Sequence, residues 1–187
     1  MILGTPVSHN ALLPMDFVKS LLGVQNMHIM EEGPSIPDNR NKIFEQARLY
    51  GDSLLFIDSD MVFTPQDVKL MEELLKDHDI VSGVCAMSFD SHQPAIFENK
   101  DGKFYPITPQ NEIFEIDACG AAFLGISARV IQTLIRPFTL IEDGKGGYHG
   151  EDISFCITAK KEGFKIFCEP KLSIGHIKSK VIYYGQT

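Results

Sequence analysis

From residue 1 to residue 87, short apolar runs alternate with segments of helical spacing, and few folds accommodate that order. Residues 1–3 are an apolar run that Gly4-Thr5-Pro6 should cut off. Residues 16–22 carry Phe17, Val18, Leu21 and Leu22 at helical spacing, with Gly23 as the stop. A second strand is expected over 24–30, then a loop over 31–37 marked by Gly33, Pro34 and Pro37. Residues 39–50 place Ile43, Phe44, Ala47 and Leu49 on a helix ended by Gly51. Leu54-Leu55-Phe56-Ile57 has no polar face, as expected of a strand covered on both sides. Thr64-Pro65-Gln66-Asp67 is a helix start, with a threonine cap, proline in the first turn and an acid at the capping-box position. Val68, Met71, Leu74 and Leu75 follow on that helix, and 79–84 is another buried strand. Such alternation predicts an α/β fold, a mostly parallel central sheet with helices on both faces.

The second half departs from this rhythm. Residues 94–98 and 103–107 flank a hairpin turn at 99–102, and 112–116 and 121–126 read as further strands. Ser127 should cap a helix bearing Val130, Ile131 and Leu134. Residues 143–150 hold four glycines in eight positions and predict a flexible, mobile loop. A helix over 151–162 ends at Gly163, followed by strands at 164–168 and 172–177. No repeat, low-complexity tract or linker divides the chain, so residues 1–187 read as one domain.

A chain of 187 residues can bury about 70% of its unfolded surface without a disulfide or zinc staple. Its 17 basic against 25 acidic residues argue against a nucleic-acid partner. The charge is uneven, with six lysines from residue 160 onward against Glu162 and Glu169. That basic end suits a phosphorylated ligand or an anionic surface, and equally a solvated edge. No apolar run approaches the ~18 residues of a membrane span, and the N-terminus lacks the basic and apolar regions of a signal peptide. Cys85, Cys119, Cys156 and Cys168 lie far apart in apolar stretches without a Cys-x-x-Cys. Reduced, buried thiols in a cytoplasmic protein are therefore expected.

Asp58-Ser59-Asp60 directly follows the apolar strand at 54–57. Ligands of open α/β sheets bind outside the carboxyl ends of the strands, where two carboxylates can hold a hard cation and, through it, a phosphate. Asp77-His78-Asp79 shares the pattern but lies at a helix end, where capping explains it. Glu151 and Asp152 open a helix, where acids favour the positive end of the dipole and a carboxylate stays ionised for general-base work. His176 follows a strand, and His149 borders the glycine loop. Arg40-Asn41 should open a helix, which suits either an anion site or an exposed helix start.

Taken in order, these pieces resemble a GT-A glycosyltransferase of the family 2 type. The resemblance rests on Gly4-Thr5-Pro6, Arg40-Asn41, Leu55-Phe56-Ile57-Asp58-Ser59-Asp60-Met61, Gly120-Ala121-Ala122-Phe123, Gly150-Glu151-Asp152 and Gly175-His176, spanning nearly the whole chain. It implies a three-layer α/β/α sandwich, residues 1–87 forming the nucleotide-binding half and 88–187 the acceptor-binding and catalytic half. It also implies a hexosyltransferase moving sugar from a UDP- or GDP-sugar to a glycan, lipid-linked or protein acceptor with Mn²⁺ or Mg²⁺. Asp58, Asp60 and His176 match its metal positions, with Asp60 the main ligand and Asp58 nearer the ribose. Thr5, Pro6 and Arg40 fall where the family contacts the nucleotide, and Gly120 and Ala121 where it lines the sugar pocket. Asp152 matches the catalytic base, with Glu151 beside it. The chain is short for the family, so residues 88–116 and the tail after His176 must supply the acceptor region.

Two other readings compete. Ile57-Asp58-Ser59-Asp60-Met61-Val62 also fits the first motif of haloacid-dehalogenase-like phosphatases, with Asp58 as nucleophile and Ser82, Lys145 and Asp152 in the later motifs. There, however, the final acidic pair follows an apolar strand, and here it follows a glycine loop. A non-catalytic sugar-nucleotide-binding module on a transferase fold is the other, against which every expected acidic position is filled.

Overall fold

Leu54, Leu55, Phe56 and Ile57 form a strand whose four side chains are all buried, and alternate residues enter different cores. Leu54 and Phe56 face one hydrophobic layer, and Leu55 and Ile57 the other. The computed structural model describes residues 1–87 and 93–177. In chain order its elements are β1 (Ile2–Ser8), α1 (Met15–Leu21), β2 (His28–Gly33), α2 (Ile36–Tyr50), β3 (Leu54–Ile57), β4 (Met61–Val62), α3 (Pro65–Leu74) and β5 (Ile80–Val84). There follow β6 (Ile96–Lys100), β7 (Lys103–Pro106), β8 (Phe114–Ile116), β9 (Ala118–Cys119), β10 (Phe123–Ile126), α4 (Ala128–Thr133), α5 (Glu151–Lys161), β11 (Ile166–Ser173) and β12 (Gly175–His176).

The central sheet has seven strands in the order β2-β1-β3-β10-β5-β11-β8. β10 and β8 run against the other five, so the sheet is mostly parallel in direction. Helices α2, α4 and α5 cover one face through Phe44, Ile131 and Phe155, and α1 and α3 cover the other through Phe17 and Met71. This is the expected three-layer sandwich. Each fully buried large side chain contributes about 1.5–3 kcal/mol. The four cysteines are free and buried. Among the described residues, no helix is long and apolar enough to cross a membrane.

Several boundaries differ from expectation. β1 runs through Gly4-Thr5-Pro6 instead of stopping there. The Ile2 N–H points toward β3, to the Ser53 carbonyl, so the even positions of β1 face that side. β3 pairing ends at Gly4, and the missing N–H of Pro6 therefore costs no ladder bond. Gly4 also lets α2 approach, since a methyl there would lie 2.5 Å from Ile43 Cγ2. β2 begins later than expected and absorbs residues 31–33 of the supposed loop. α2 starts at Ile36, capped by Ser35, whose hydroxyl accepts the Asp38 N–H, with Pro37 in its first turn. Arg40 and Asn41 thus lie inside the helix, not at its opening. Ser127 occupies a cap position but makes no cap bond, and its hydroxyl is buried without a partner.

The hairpin turn narrows to Asp101 and Gly102, both at positive φ. In the glycine loop, Asp143 Oδ1 accepts the N–H groups of Lys145 and Gly147, and Glu142 bridges to Tyr148. The loop is a small hairpin with its own bonding. On β11, five residues advance against two of β5 between Cys168 and Ser173. That bulge redirects the chain so that β12 pairs with β4. The parts of the expected acceptor region at 88–92 and 178–187 lie outside the described residues.

Candidate functional site

The carboxyl ends of β1, β3, β5 and β11 lie at one edge of the sheet, where antiparallel β10 begins. Asp58 leaves β3 there, its N–H donated to the Ala122 carbonyl at 2.9 Å. Its carboxylate accepts from Arg40 Nη2 at 2.8 Å. Arg40 is 3% exposed and lies over the rings of Phe56 and Phe138. Its Nη1 donates to the Ala121 carbonyl at 3.3 Å, and its Nε stands 3.6 Å from Glu151 Oε1. That Nε is buried without a hydrogen-bond partner. One guanidinium therefore joins β3, the turn before β10 and the start of α5. Burial pushes the Asp58 carboxyl above its ordinary value; Arg40 opposes this, and the charges of Asp60 and Glu151 add to it.

His176, carried across by the β11 bulge, meets the second aspartate. Its Nε2 is 3.0 Å from Asp60 Oδ2, and its Nδ1 is 2.7 Å from the Ala86 carbonyl. An imidazole donating from Nδ1 to Ala86 turns its Nε2 lone pair toward the carboxylate, and a proton or a cation between them makes that arrangement favourable. Two donor atoms 3.0 Å apart also match adjacent ligands around an octahedral ion with bonds of about 2.1 Å. Among the described residues, no three His, Cys, Asp or Glu side chains group to hold a metal. The Asp60–His176 pair fits an ion whose remaining positions go to substrate phosphates and water, as Mg²⁺ and Mn²⁺ sites commonly do. Asp58, expected as a third ligand, is engaged by Arg40. Cys85, close behind, is a buried thiol pushed up to about 12, chiefly by burial, and so is unsuited to nucleophilic work.

Across the edge, Gly150 caps α5, and Glu151 and Asp152 fill its first turn. Asp152 Oδ1 accepts the Ile153 N–H at 2.7 Å. A methyl built on Gly120 would lie 3.7 Å from Asp152 Oδ2, so the expected pocket residue and the expected base are neighbours. Burial and the Glu151 charge raise the Asp152 carboxyl, and the Ile153 N–H and Arg40 oppose them.

A cleft of about 460 Å³ opens between these elements, lined by residues that include Pro6, Arg40, Asp58, Asp60 and Glu151. Of the expected nucleotide contacts, Pro6 and Arg40 line it. Thr5 is fully buried, its hydroxyl 2.8 Å from His28 Nε2. Sequence reasoning missed the residues flanking Arg40. Asn39 donates to the Val7 and Gly33 carbonyls, tying down the ends of β1 and β2. Asn41 both donates to the Phe138 carbonyl and accepts its N–H. The available signal was two amides on the apolar side of a helix, where a polar group needs a buried partner.

No family model and no curated protein matches this sequence. Among solved structures, A197 from STIV is similar with a TM-score of 0.66 and 15% identity, covering 100% of this chain and 99% of that one. GalNAc-T7, solved with UDP, GalNAc and Mn²⁺, is similar with a TM-score of 0.64 and 14% identity. The match covers 95% of this chain and 44% of that one. The fold is therefore that of a GT-A-like α/β protein.

Proposed function

We propose that the chain is a metal-dependent hexosyltransferase that moves a sugar from a UDP- or GDP-sugar to an acceptor hydroxyl on a glycan, a lipid-linked molecule or a protein. The observation that carries this reading is the convergence at one sheet edge of the Asp60–His176 pair, the Arg40 cleft and the carboxylate of Asp152. Likeness to a transferase solved with UDP, GalNAc and Mn²⁺ supports it.

Asp60 and His176 would hold the metal. A bound Mn²⁺ or Mg²⁺ supplies Lewis-acid neutralisation of the diphosphate leaving group. Arg40 Nε and Glu151 Oε1 offer a donor and an acceptor to one sugar hydroxyl, which would satisfy the orphaned N–H. Arg40 also fixes the Asp58 carboxylate at the cleft wall. Asp152, raised by burial, takes the proton of the attacking hydroxyl; a base poised nearer neutrality transfers protons more effectively than an ordinary carboxylate. The glycine hairpin at 143–147 stands just before Glu151, placed to exclude water from the donor. Asp58 is less suited to the phosphatase reading, because its carboxylate is already engaged by Arg40.

The test is turnover of UDP- and GDP-hexoses with Mn²⁺, comparing wild type with Asp152→Asn. Loss of a general base lowers the rate by roughly 10²–10⁴-fold with donor affinity retained. Unchanged turnover would remove Asp152 from the mechanism.

A further inference from the structure

We propose that Ala95 is a specificity-determining residue that sets which acceptors reach Asp152, admitting a sugar or polyol hydroxyl with its carbon skeleton as well as water. The inference rests on the transferase reading above. Glu151 and Asp152 are consecutive on α5, so their side chains leave the helix about 100° apart. Glu151 lines the Arg40 cleft, whereas Asp152, Gly120 and Ala95 are not part of that lining. Asp152 instead faces Gly120, and the methyl that would stand 3.7 Å from its Oδ2 would stand 3.2 Å from Ala95 Cβ. The Gly120 N–H donates to the Ala95 carbonyl at 2.9 Å, and the Ala95 N–H to the Cys85 carbonyl at 2.9 Å, so the backbone at position 95 is held in place. The Ala95 methyl and the Asp152 carboxylate thus flank the bare face of Gly120, on ground separate from the donor cleft.

A hydroxyl that passes its proton to Asp152 must come within about 2.6–3.2 Å of the carboxylate. In that position its carbon skeleton lies beside position 95. As the acceptor oxygen bonds to the anomeric carbon, the bond from that carbon to the diphosphate oxygen breaks. The electron pair leaves on the diphosphate, and the acceptor proton goes to Asp152. Water completes the same sequence as hydrolysis and needs no room for carbon. A larger side chain at 95 therefore discriminates against alcohols and spares hydrolysis.

The experiment incubates the full chain with UDP- or GDP-hexose and Mn²⁺ in the presence of glycerol or methyl β-glucoside. It measures the ratio of glycosylated acceptor to free hexose, with nucleotide affinity followed by calorimetry. In Ala95→Leu the ratio falls on the order of tenfold or more, given what misfitting carbon atoms cost in a shaped pocket. Nucleotide affinity and hydrolysis stay near wild type, and Ala95→Ser keeps the wild-type ratio. If Ala95→Leu does not fold, Ala95→Val gives an intermediate fall. An unchanged ratio in the enlarged variants, hydrolysis lost in step with transfer, or a wild type that hydrolyses donor but glycosylates neither acceptor would each overturn the proposal. Failure of the underlying reading looks different: no nucleotide release by wild type, or full release by Asp152→Asn.

Discussion

Replacing Arg40 with methionine keeps the apolar stem over Phe56 and Phe138 but leaves Asp58 without its cation. Breaking one half of a buried pair costs about 3–5 kcal/mol, so urea unfolding at neutral pH should show a loss of that size. The loss should shrink in acid, where a carboxyl already raised by burial protonates and no longer needs Arg40. Asp152 supports a second prediction at this scale. Its folded pKa lies above the ordinary value, so the folded state binds its proton more tightly than the unfolded chain does. Stability contributed by the protonated form is present at low pH and is lost as pH rises through the ordinary value toward the raised one. Asp152→Asn, which keeps an oxygen for the Ile153 N–H, should therefore raise the Tm at pH 7 and change it little near pH 3. A lower Tm at pH 7 would mean that the ionised carboxylate is favoured by the fold.

At the scale of elements, two close approaches can be tested by denaturant unfolding. Gly4→Ala places a methyl 2.5 Å from Ile43 Cγ2, and overpacking of this kind costs about 1–3 kcal/mol. Because one atom causes the clash, the cost should not add to that of Ile43→Ala, and a double-mutant cycle should show a favourable coupling. Asn41→Leu keeps the side-chain volume but strands the N–H and carbonyl of Phe138, each costing about 1–3 kcal/mol. These elements also show what sequence can and cannot reveal. β3 was legible because four apolar residues in a row have no face to spare for solvent. α3 was legible because its capping box is written in Thr64 and Asp67, and both halves of that box form. The start of α2 was not, because Pro34 and Pro37 read as loop residues until Ser35 is known to cap and Pro37 to sit in the first turn. β1 was cut short because Pro6 is a strand breaker unless the neighbouring strand has already ended, and that depends on pairing.

For the molecule as a whole, the layers follow from alternation in the sequence, whereas the site follows from long-range geometry. Asp58 and Asp60 were visible as acids at a strand end. Their division of labour was not, because Arg40 lies 18 positions away from Asp58 in sequence and His176 is 116 from Asp60. The pairing of Asp60 with His176 depends on a bulge in β11 that no local motif announces. Donor binding through that pair is the central claim, and calorimetric titration with UDP and GDP, with and without Mn²⁺, tests it most directly. The account predicts that one nucleotide binds with Mn²⁺ and much more weakly without it, and that Asp60→Ala and His176→Ala each abolish the metal dependence while the fold persists. Binding that is indifferent to Mn²⁺, or equally metal-dependent in Asp60→Ala, would contradict it.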